Sequence, residues 1–407
     1  MKDIYYYLHE QEDITGTVPD SGLSEREKQE VLSYIRKREA EEKYASHSSA
    51  AVMQNAEERS AEQVKRRVRV STAAAILAAA LTVGGSVFAA IRWNRGLEEG
   101  MQISEERKEQ LETDQMAVTV GQSCTKGDVT VTADQCIVDN YYAYLSFTVR
   151  GYEPAEGADP IFEQTVISAE GIDHLSGTGR FYNGIIMGPD GLGIYADGTE
   201  IDRNSGEPVT GHYVQEDGSM QYLWMVSSGG EKGLLTGKTI HVELVNLGTA
   251  RRAAFTPGVQ ETWTFDWTLP ENSVSREFEP DMALGDTEAV VKTAEISPIS
   301  LYVTMDVPRQ EETDIIEWED GNTEIFTFWK EAPRLTGVRL KDGSLLPYVT
   351  DGGSSYYPEE EGDLYIQRYG VDRVLDIDQI DALLFFKDGT PSGEIPTEDH
   401  FYVVPLS

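Results

Sequence analysis

The chain has 407 residues, long enough for two or three domains, with 71 acidic residues against 34 basic ones and a formal charge of -37. That balance argues against phosphate-directed nucleic-acid binding. It reads most simply as solubility, and more sharply as affinity for cations or basic partners. Only two cysteines are present, Cys124 and Cys136, so neither a disulfide framework nor a zinc cluster can be built from them.

Taken in order, residues 3–12 form the first helix candidate, with Ile4, Tyr7 and Leu8 on one face. Gly16, Pro19, Asp20 and Gly22 then make a loop. A second helix starts at the capping box Ser24-Glu25-Arg26-Glu27, presents Val31, Leu32 and Ile35 on one face, and ends in Arg36-Lys37-Arg38 at its negative dipole end. Two short helices cannot bury a core by themselves. The expectation is therefore a partner that covers Ile4, Tyr7, Leu8, Val31, Leu32 and Ile35, the alternative being a disordered tail with fleeting helices. Residues 40–63 are rich in Glu, Ala, Ser and Gln and read as a polar linker or helical stalk. His9 and His47 stand alone, so no catalysis is expected in this segment.

Residues 70–91, VSTAAAILAAALTVGGSVFAAI, contain no charge in a chain that is 26% charged. As a helix they would extend roughly 33 Å, enough to cross a hydrocarbon core of about 30 Å. Lys65, Arg66, Arg67 and Arg69 precede the stretch, and Trp93 follows it at the place of an interfacial aromatic anchor. The basic cluster places residues 1–69 in the cytoplasm and residues 92–407 outside. Two other readings compete. A buried helix is usually shorter and carries a polar stripe. A signal peptide cleaved near Val87-Phe88-Ala89 would start close to the N-terminus, not after residues 1–69.

Residues 92–115 are charged and read as a juxtamembrane helix or tether. From Met116 the period changes to two. Val129 and Val131 alternate with threonines after a turn at Lys126-Gly127-Asp128. Beyond an Asp139-Asn140 turn, Ala143, Leu145, Phe147 and Val149 alternate with Tyr144, Ser146 and Thr148, as in a half-buried antiparallel pair. The two cysteines flank the first turn without facing each other. Two small core residues is the first reading and a disulfide the second. Residues 151–211 are rich in Gly, Asp and Pro and read as long loops with short strands. Asp217-Gly218 is a hairpin signal, and Ile240, Val242 and Leu244 alternate in the next strand. Trp263, Phe265, Trp267 and Leu269 share one face of a strand, which suits a sandwich core, with a carbohydrate-stacking surface as the alternative.

Residues 273–286 read as a linker. Short strands with turn signals then resume at Ile299, Leu301, Val303 and Met305, at Val338 and Leu340 before Lys341-Asp342-Gly343-Ser344, at residues 382–386 before Lys387-Asp388-Gly389, and at residues 401–404. The expected architecture is thus a mainly β ectodomain of two antiparallel β-sandwiches, residues 116–272 and 287–407, plus one transmembrane α-helix and a short α-helical cytoplasmic segment.

No nucleophile elbow, phosphate-binding glycine loop or zinc-binding helix motif occurs in the sequence. His174, His212, His241 and His400 are scattered. The acidic runs at residues 359–363 and 376–381 lack the glycine and terminal glutamate of a calcium loop, and read as solvated charge or, alternatively, a calcium site. The chain is expected to be no enzyme and to carry no cofactor or metal.

LSEREKQEVLSYIRKR (residues 23–38), the spanning stretch, GDVTVTADQCIVDNYYAYLSFTV (residues 127–149), ETWTFDWTL (residues 261–269) and EISPISLYVTMDV (residues 295–307) together resemble domain-of-unknown-function family 4179, single-pass envelope proteins of Gram-positive Firmicutes. The resemblance implies immunoglobulin-like sandwiches, no catalytic residues, and an anti-sigma-factor-like role in the cell membrane. Its cytoplasmic partner would be a sigma factor, and its outer partner an envelope ligand or protein. The His-Cys zinc motif of other anti-sigma domains is absent from this chain. The rival expectation is an envelope adhesion or structural protein with no part in transcription.

Overall fold

Alternation of apolar and polar residues dominates the chain after Met116, and the structure there is mainly β. A computed structural model describes residues 93–407 apart from 156, 173, 204–208, 210, 230–231, 252–253, 318–322, 360, 388–392 and 407. The two expected cytoplasmic helices, the basic cluster Lys65–Arg69 and the spanning stretch 70–91 therefore lie outside the described residues. Among the described residues no helix is long and apolar enough to cross a membrane.

Two short helices come first, α1 (Arg95–Gly100) and α2 (Glu105–Thr113). Ten strands follow: β1 (Ala117–Lys126), β2 (Val129–Val138), β3 (Tyr142–Arg150), β4 (Asp159–Ala169), β5 (Ser176–Phe181), β6 (Ile185–Met187), β7 (Gly193–Tyr195), β8 (Met220–Ser227), β9 (Thr239–Arg251) and β10 (Ala254–Thr268). They build a five-stranded antiparallel sheet, β1-β2-β3-β8-β5, a three-stranded one, β10-β9-β4, and the small β6-β7 pair. The first two sheets share one core. Phe147 on β3 meets Phe265 on β10 with ring centroids 5.6 Å apart, and Phe162 on β4 meets Trp263 at 5.9 Å. Trp263, Phe265 and Trp267 thus point inward, and the aromatic row is core, not a carbohydrate platform.

The second assembly comprises β11 (Arg276–Phe278), β12 (Met282–Ala283), β13 (Val290–Ile296), β14 (Ser300–Asp306), β15 (Glu311–Glu317), β16 (Thr323–Trp329), β17 (Leu335–Leu340), β18 (Leu345–Leu346), β19 (Thr350–Tyr356), β20 (Leu364–Val371), β21 (Ile380–Phe386) and β22 (Phe401–Pro405). A six-stranded sheet, β11-β13-β14-β20-β19 with β12 also on β13, faces a four-stranded one, β18-β17-β21-β22, while β15 and β16 form a separate ribbon. Leu301, Val303 and Met305 from one sheet and Leu335, Val338, Leu383 and Phe385 from the other fill the core between them.

Within the strands and turns after Met116, the structure departs from the sequence-based expectation at four places. Residues 151–211 hold an eleven-residue strand, β4, whose Phe162 is buried although glycines and aspartates surround the segment. The expected linker 273–286 contributes β11 and β12 to the edge of the second assembly, where both pair with β13. At Asp217-Gly218 a tight turn closes through Gly218 N to Gln215 O at 2.9 Å, but only its second arm continues as a strand, β8. Finally, β3 is buried on both faces rather than one, because α1, α2 and the second assembly cover the side that carries Tyr144, Ser146 and Thr148.

Cys124 and Cys136 are both free. Cys136 is fully buried beside Trp267, and loss of hydration pushes its thiol up to about 12, so it stays protonated and inert.

Candidate functional site

Residues 93–116 are where the structure departs most from a tether. Helices of six and nine residues are marginal alone, so packing must hold them. Leu97, Met101, Ile103, Leu111 and Met116 are all buried in the core that also contains Tyr142, Tyr144, Val291 and Leu301. Each helix is capped. Asn94 Oδ1 accepts from Leu97 N at 3.1 Å, and Ser104 Oγ from Arg107 N at 3.3 Å.

Asn94 does much more than cap. Its backbone N–H donates to Gln135 Oε1 at 2.8 Å, and its Nδ2 donates to Asp134 Oδ2 at 2.7 Å and Thr148 Oγ1 at 3.1 Å. Two residues on, Gly96 N donates to Gln221 Oε1 on β8. A Cβ at position 96 would sit 2.9 Å from Gln221 Cβ, so only glycine lets the chain lie this close to the sheet. Trp93 packs against the same core and donates its indole N–H to Glu112 Oε1 at 3.0 Å. Of the sequence-predicted site residues, Trp93 is described; Ile4, Tyr7, Leu8, Val31, Leu32, Ile35, Lys65, Arg66, Arg67 and Arg69 lie outside the described residues.

Next to this segment, the turn between β2 and β3 enters the second assembly. Asp139 is completely buried. Its Oδ1 accepts from the backbone of Tyr141 at 2.8 Å and Tyr142 at 2.7 Å, while Oδ2 accepts from the hydroxyls of Ser297 and Ser300. Burial pushes the Asp139 carboxyl above its usual range, against the pull of these four donors. Glu295 on β13 accepts from Asn140 Nδ2 at 2.6 Å, Tyr141 OH at 2.9 Å and Ser275 Oγ at 2.6 Å, and pairs with Lys232 Nζ at 2.9 Å. Tyr141 also stacks on Tyr302 at 4.7 Å. The hydroxyls of Tyr142 and Tyr144 donate to the carbonyls of Arg368 at 3.1 Å and Val371 at 2.7 Å. The two assemblies are therefore joined by a satisfied polar network, and residues Ala90–Ser407 form one compact unit.

Desolvation works to raise the Glu295 pKa, but its hydrogen bonds outweigh it and hold the group below the ordinary value of 4.5. A carboxyl depressed in the folded state stabilises above its unfolded pKa and loses that contribution as pH falls through the folded one. Glu295→Gln is accordingly expected to lower the urea midpoint at pH 7, with the difference from the parent shrinking as the pH falls below about 4.5. A constant difference across that range would contradict the assignment.

The other sequence candidates resolve individually. Asp376, Asp378 and Asp381 each face a different arginine, Arg107 at 2.8 Å, Arg276 at 3.3 Å and Arg339 at 3.0 Å, so this acidic run is paired along its length. His241 lies between Asp266 at 2.8 Å and Glu243 at 3.2 Å on an exposed sheet face, and His212 stacks on Tyr195. Among the described residues no group of His, Cys, Asp and Glu has the geometry of a metal site.

Asn94, Asp139 and Glu295 were not singled out by sequence reasoning. Asn94 carries a usable signal, a capping residue three positions before Leu97 and its helical neighbour Met101. Asp139-Asn140 reads only as a turn because its partners Glu295, Ser297 and Ser300 are distant in sequence.

Residues 63–151 match the family model described as Domain of unknown function (DUF4179), the family that the sequence resembles. The match takes in the basic cluster, the apolar stretch, both helices and β1 to β3. No curated protein matches the chain. Among solved structures, "The crystal structure of the conserved domain protein from Bacillus anthracis" is 12% identical and aligns over 72% of this chain and 87% of its own, with a TM-score of 0.37.

Proposed function

We propose that this chain is a non-catalytic, single-pass signalling regulator of the cell membrane. Residues 70–91 span the bilayer. The helices at residues 4–8 and 25–38 hold a sigma factor on the cytoplasmic side, and two immunoglobulin-like sandwiches sense an envelope condition outside.

One observation supports a regulator over a plain anchor. The chain following the apolar stretch is pinned at Asn94 to β2 and β3, and its Leu97, Met101, Ile103, Leu111 and Met116 are buried in the core of the outer unit. Only Arg92 and Trp93 separate residue 91 from Asn94, too short an interval for a flexible linker. A structural anchor needs no such fastening, whereas a transmitter does. The extent of the family match, from residue 63 to the end of β3, fits the same unit of span plus fastening.

Purification of the full-length chain from membranes tests the reading. A sigma factor should accompany it, and should be lost when residues 1–64 are deleted, with a change in transcription of the genes that sigma factor serves. Absence of any sigma factor, together with no transcriptional effect of the deletion, would leave the adhesion or structural reading in its place.

A further inference from the structure

Between the start of α1 and the outer face of the first sheet lies a cleft of about 440 Å³. That volume falls within the roughly 300–1,000 Å³ of small-molecule sites. Three neighbouring strands supply its floor. Thr132 on β2 stands opposite Thr148 on β3, and Thr148 opposite Gln221 on β8, so the three side chains form one row on one face. Trp93 lines one side and the turn at residues 215–217 another. The site is built on sheet and is formed before any ligand arrives.

Gln221 is the informative member of the row. It is 7% exposed, and its Oε1 accepts from the backbone N–H of Gly96. A backbone N–H can only donate, so this bond fixes which way the amide lies and turns Nε2 away from Gly96. No described residue accepts from that Nε2. A buried donor is costly to leave unmatched, and this one lines the cleft. Asp134, held by Thr148 Oγ1 at 2.7 Å and Asn94 Nδ2 at 2.7 Å, brings a carboxylate to the same place.

Charge decides the class of ligand. Arg95 and Arg150 line the cleft with Asp134, Glu216 and Asp217, and both arginines are already paired, with Glu99 at 2.6 Å and Asp217 at 2.8 Å. An anion would meet three carboxylates, and a cation two guanidinium groups. Hydroxyl groups both donate and accept, which suits an amide donor beside a carboxylate acceptor. The apolar face of a sugar ring suits the indole on the side wall. We propose that this cleft binds a neutral saccharide, with Gln221 Nε2 donating to one of its oxygens and Asp134 accepting from one of its hydroxyls. In making the saccharide what the outer unit senses, the proposal rests on the regulator reading; the binding itself does not.

The labelled full-length chain in lipid nanodiscs, applied to an array of neutral and charged oligosaccharides, tests it. Neutral oligosaccharides should be retained, and the one retained best is then titrated by calorimetry. Gln221→Glu keeps an acceptor for Gly96 N and removes the free donor, while Thr132→Val takes one hydroxyl from the floor. Each should weaken binding roughly tenfold. Thr264→Val, on the exposed face of β10, should leave it unchanged. Retention of charged oligosaccharides only, retention of none, or affinity indifferent to both cleft substitutions would overturn the proposal. If Gln221→Glu does not fold, Thr132→Val still decides. Sigma-factor capture is scored on the same preparations. Saccharide binding without capture sinks the regulator reading alone, and capture without binding sinks the saccharide site alone.

Discussion

A chain that begins at Ala117 is expected not to fold, whereas one that begins at Ala90 folds and unfolds cooperatively. The reason is the burial of residues 93–116. Leu97 and Met116 are 0% exposed, Leu111 1%, Met101 3% and Ile103 5%. Each such side chain contributes about 1.5–3 kcal/mol relative to exposure, so the five together supply roughly 7–15 kcal/mol. That matches the whole net stability of an ordinary domain, about 5–15 kcal/mol. Their removal also uncovers Tyr144, Ser146 and Thr148 on the outer face of β3. Urea unfolding followed by tryptophan fluorescence makes the comparison, with Leu97→Ala as the graded version, expected to cost about 2–5 kcal/mol. Equal midpoints for the two starting points would mean that residues 93–116 are only a tether.

Asp139→Ala is expected to destabilise the unit Ala90–Ser407 by about 3–5 kcal/mol, although the residue lies in a turn. The substitution leaves the Tyr141 and Tyr142 amides without an acceptor, and the Ser297 and Ser300 hydroxyls with only each other at 3.3 Å, at a site with no exposure. Asparagine does not repair it. Ser297 Oγ already accepts from Ile299 N at 3.1 Å and Ser300 N at 2.9 Å, so an asparagine amide finds a free lone pair only on Ser300 Oγ, and the Ser297 proton is left with the longer contact to Ser300 Oγ at 3.3 Å. Asp139→Asn should therefore lose stability too, by less than alanine because one oxygen still serves the two tyrosine amides. An alanine variant within about 0.5 kcal/mol of the parent would rule out the role assigned to this carboxylate.

The parts of the fold legible in the sequence are those where one periodicity acts alone. The alternation in β10 and β14 and the Asp342-Gly343 hairpin have strong local causes, and the structure shows them as expected. The sequence shows the β3 strand and its inner face, but Tyr144, Ser146 and Thr148 read as the solvated face because what covers them lies elsewhere in the chain. The same holds for α1 and α2. Their five apolar residues are diluted among Glu, Lys and Arg, so composition points only to a juxtamembrane helix or tether, while the burial depends on a surface that β3 and the second assembly create together. The acidic run at residues 376–381 is the converse case. It reads as solvated charge or a calcium site, yet its aspartates pair with arginines from three separate elements.

Thiol labelling of intact cells tests the arrangement on which the proposed function depends. In a Cys124→Ser background a membrane-impermeant maleimide should react with Asp128→Cys, placed in the exposed turn before β2, without permeabilisation. Ser60→Cys, ahead of the basic cluster, should react only after the membrane is opened. Labelling of both positions in intact cells, or of neither, would contradict a span at residues 70–91 with the acidic β unit outside.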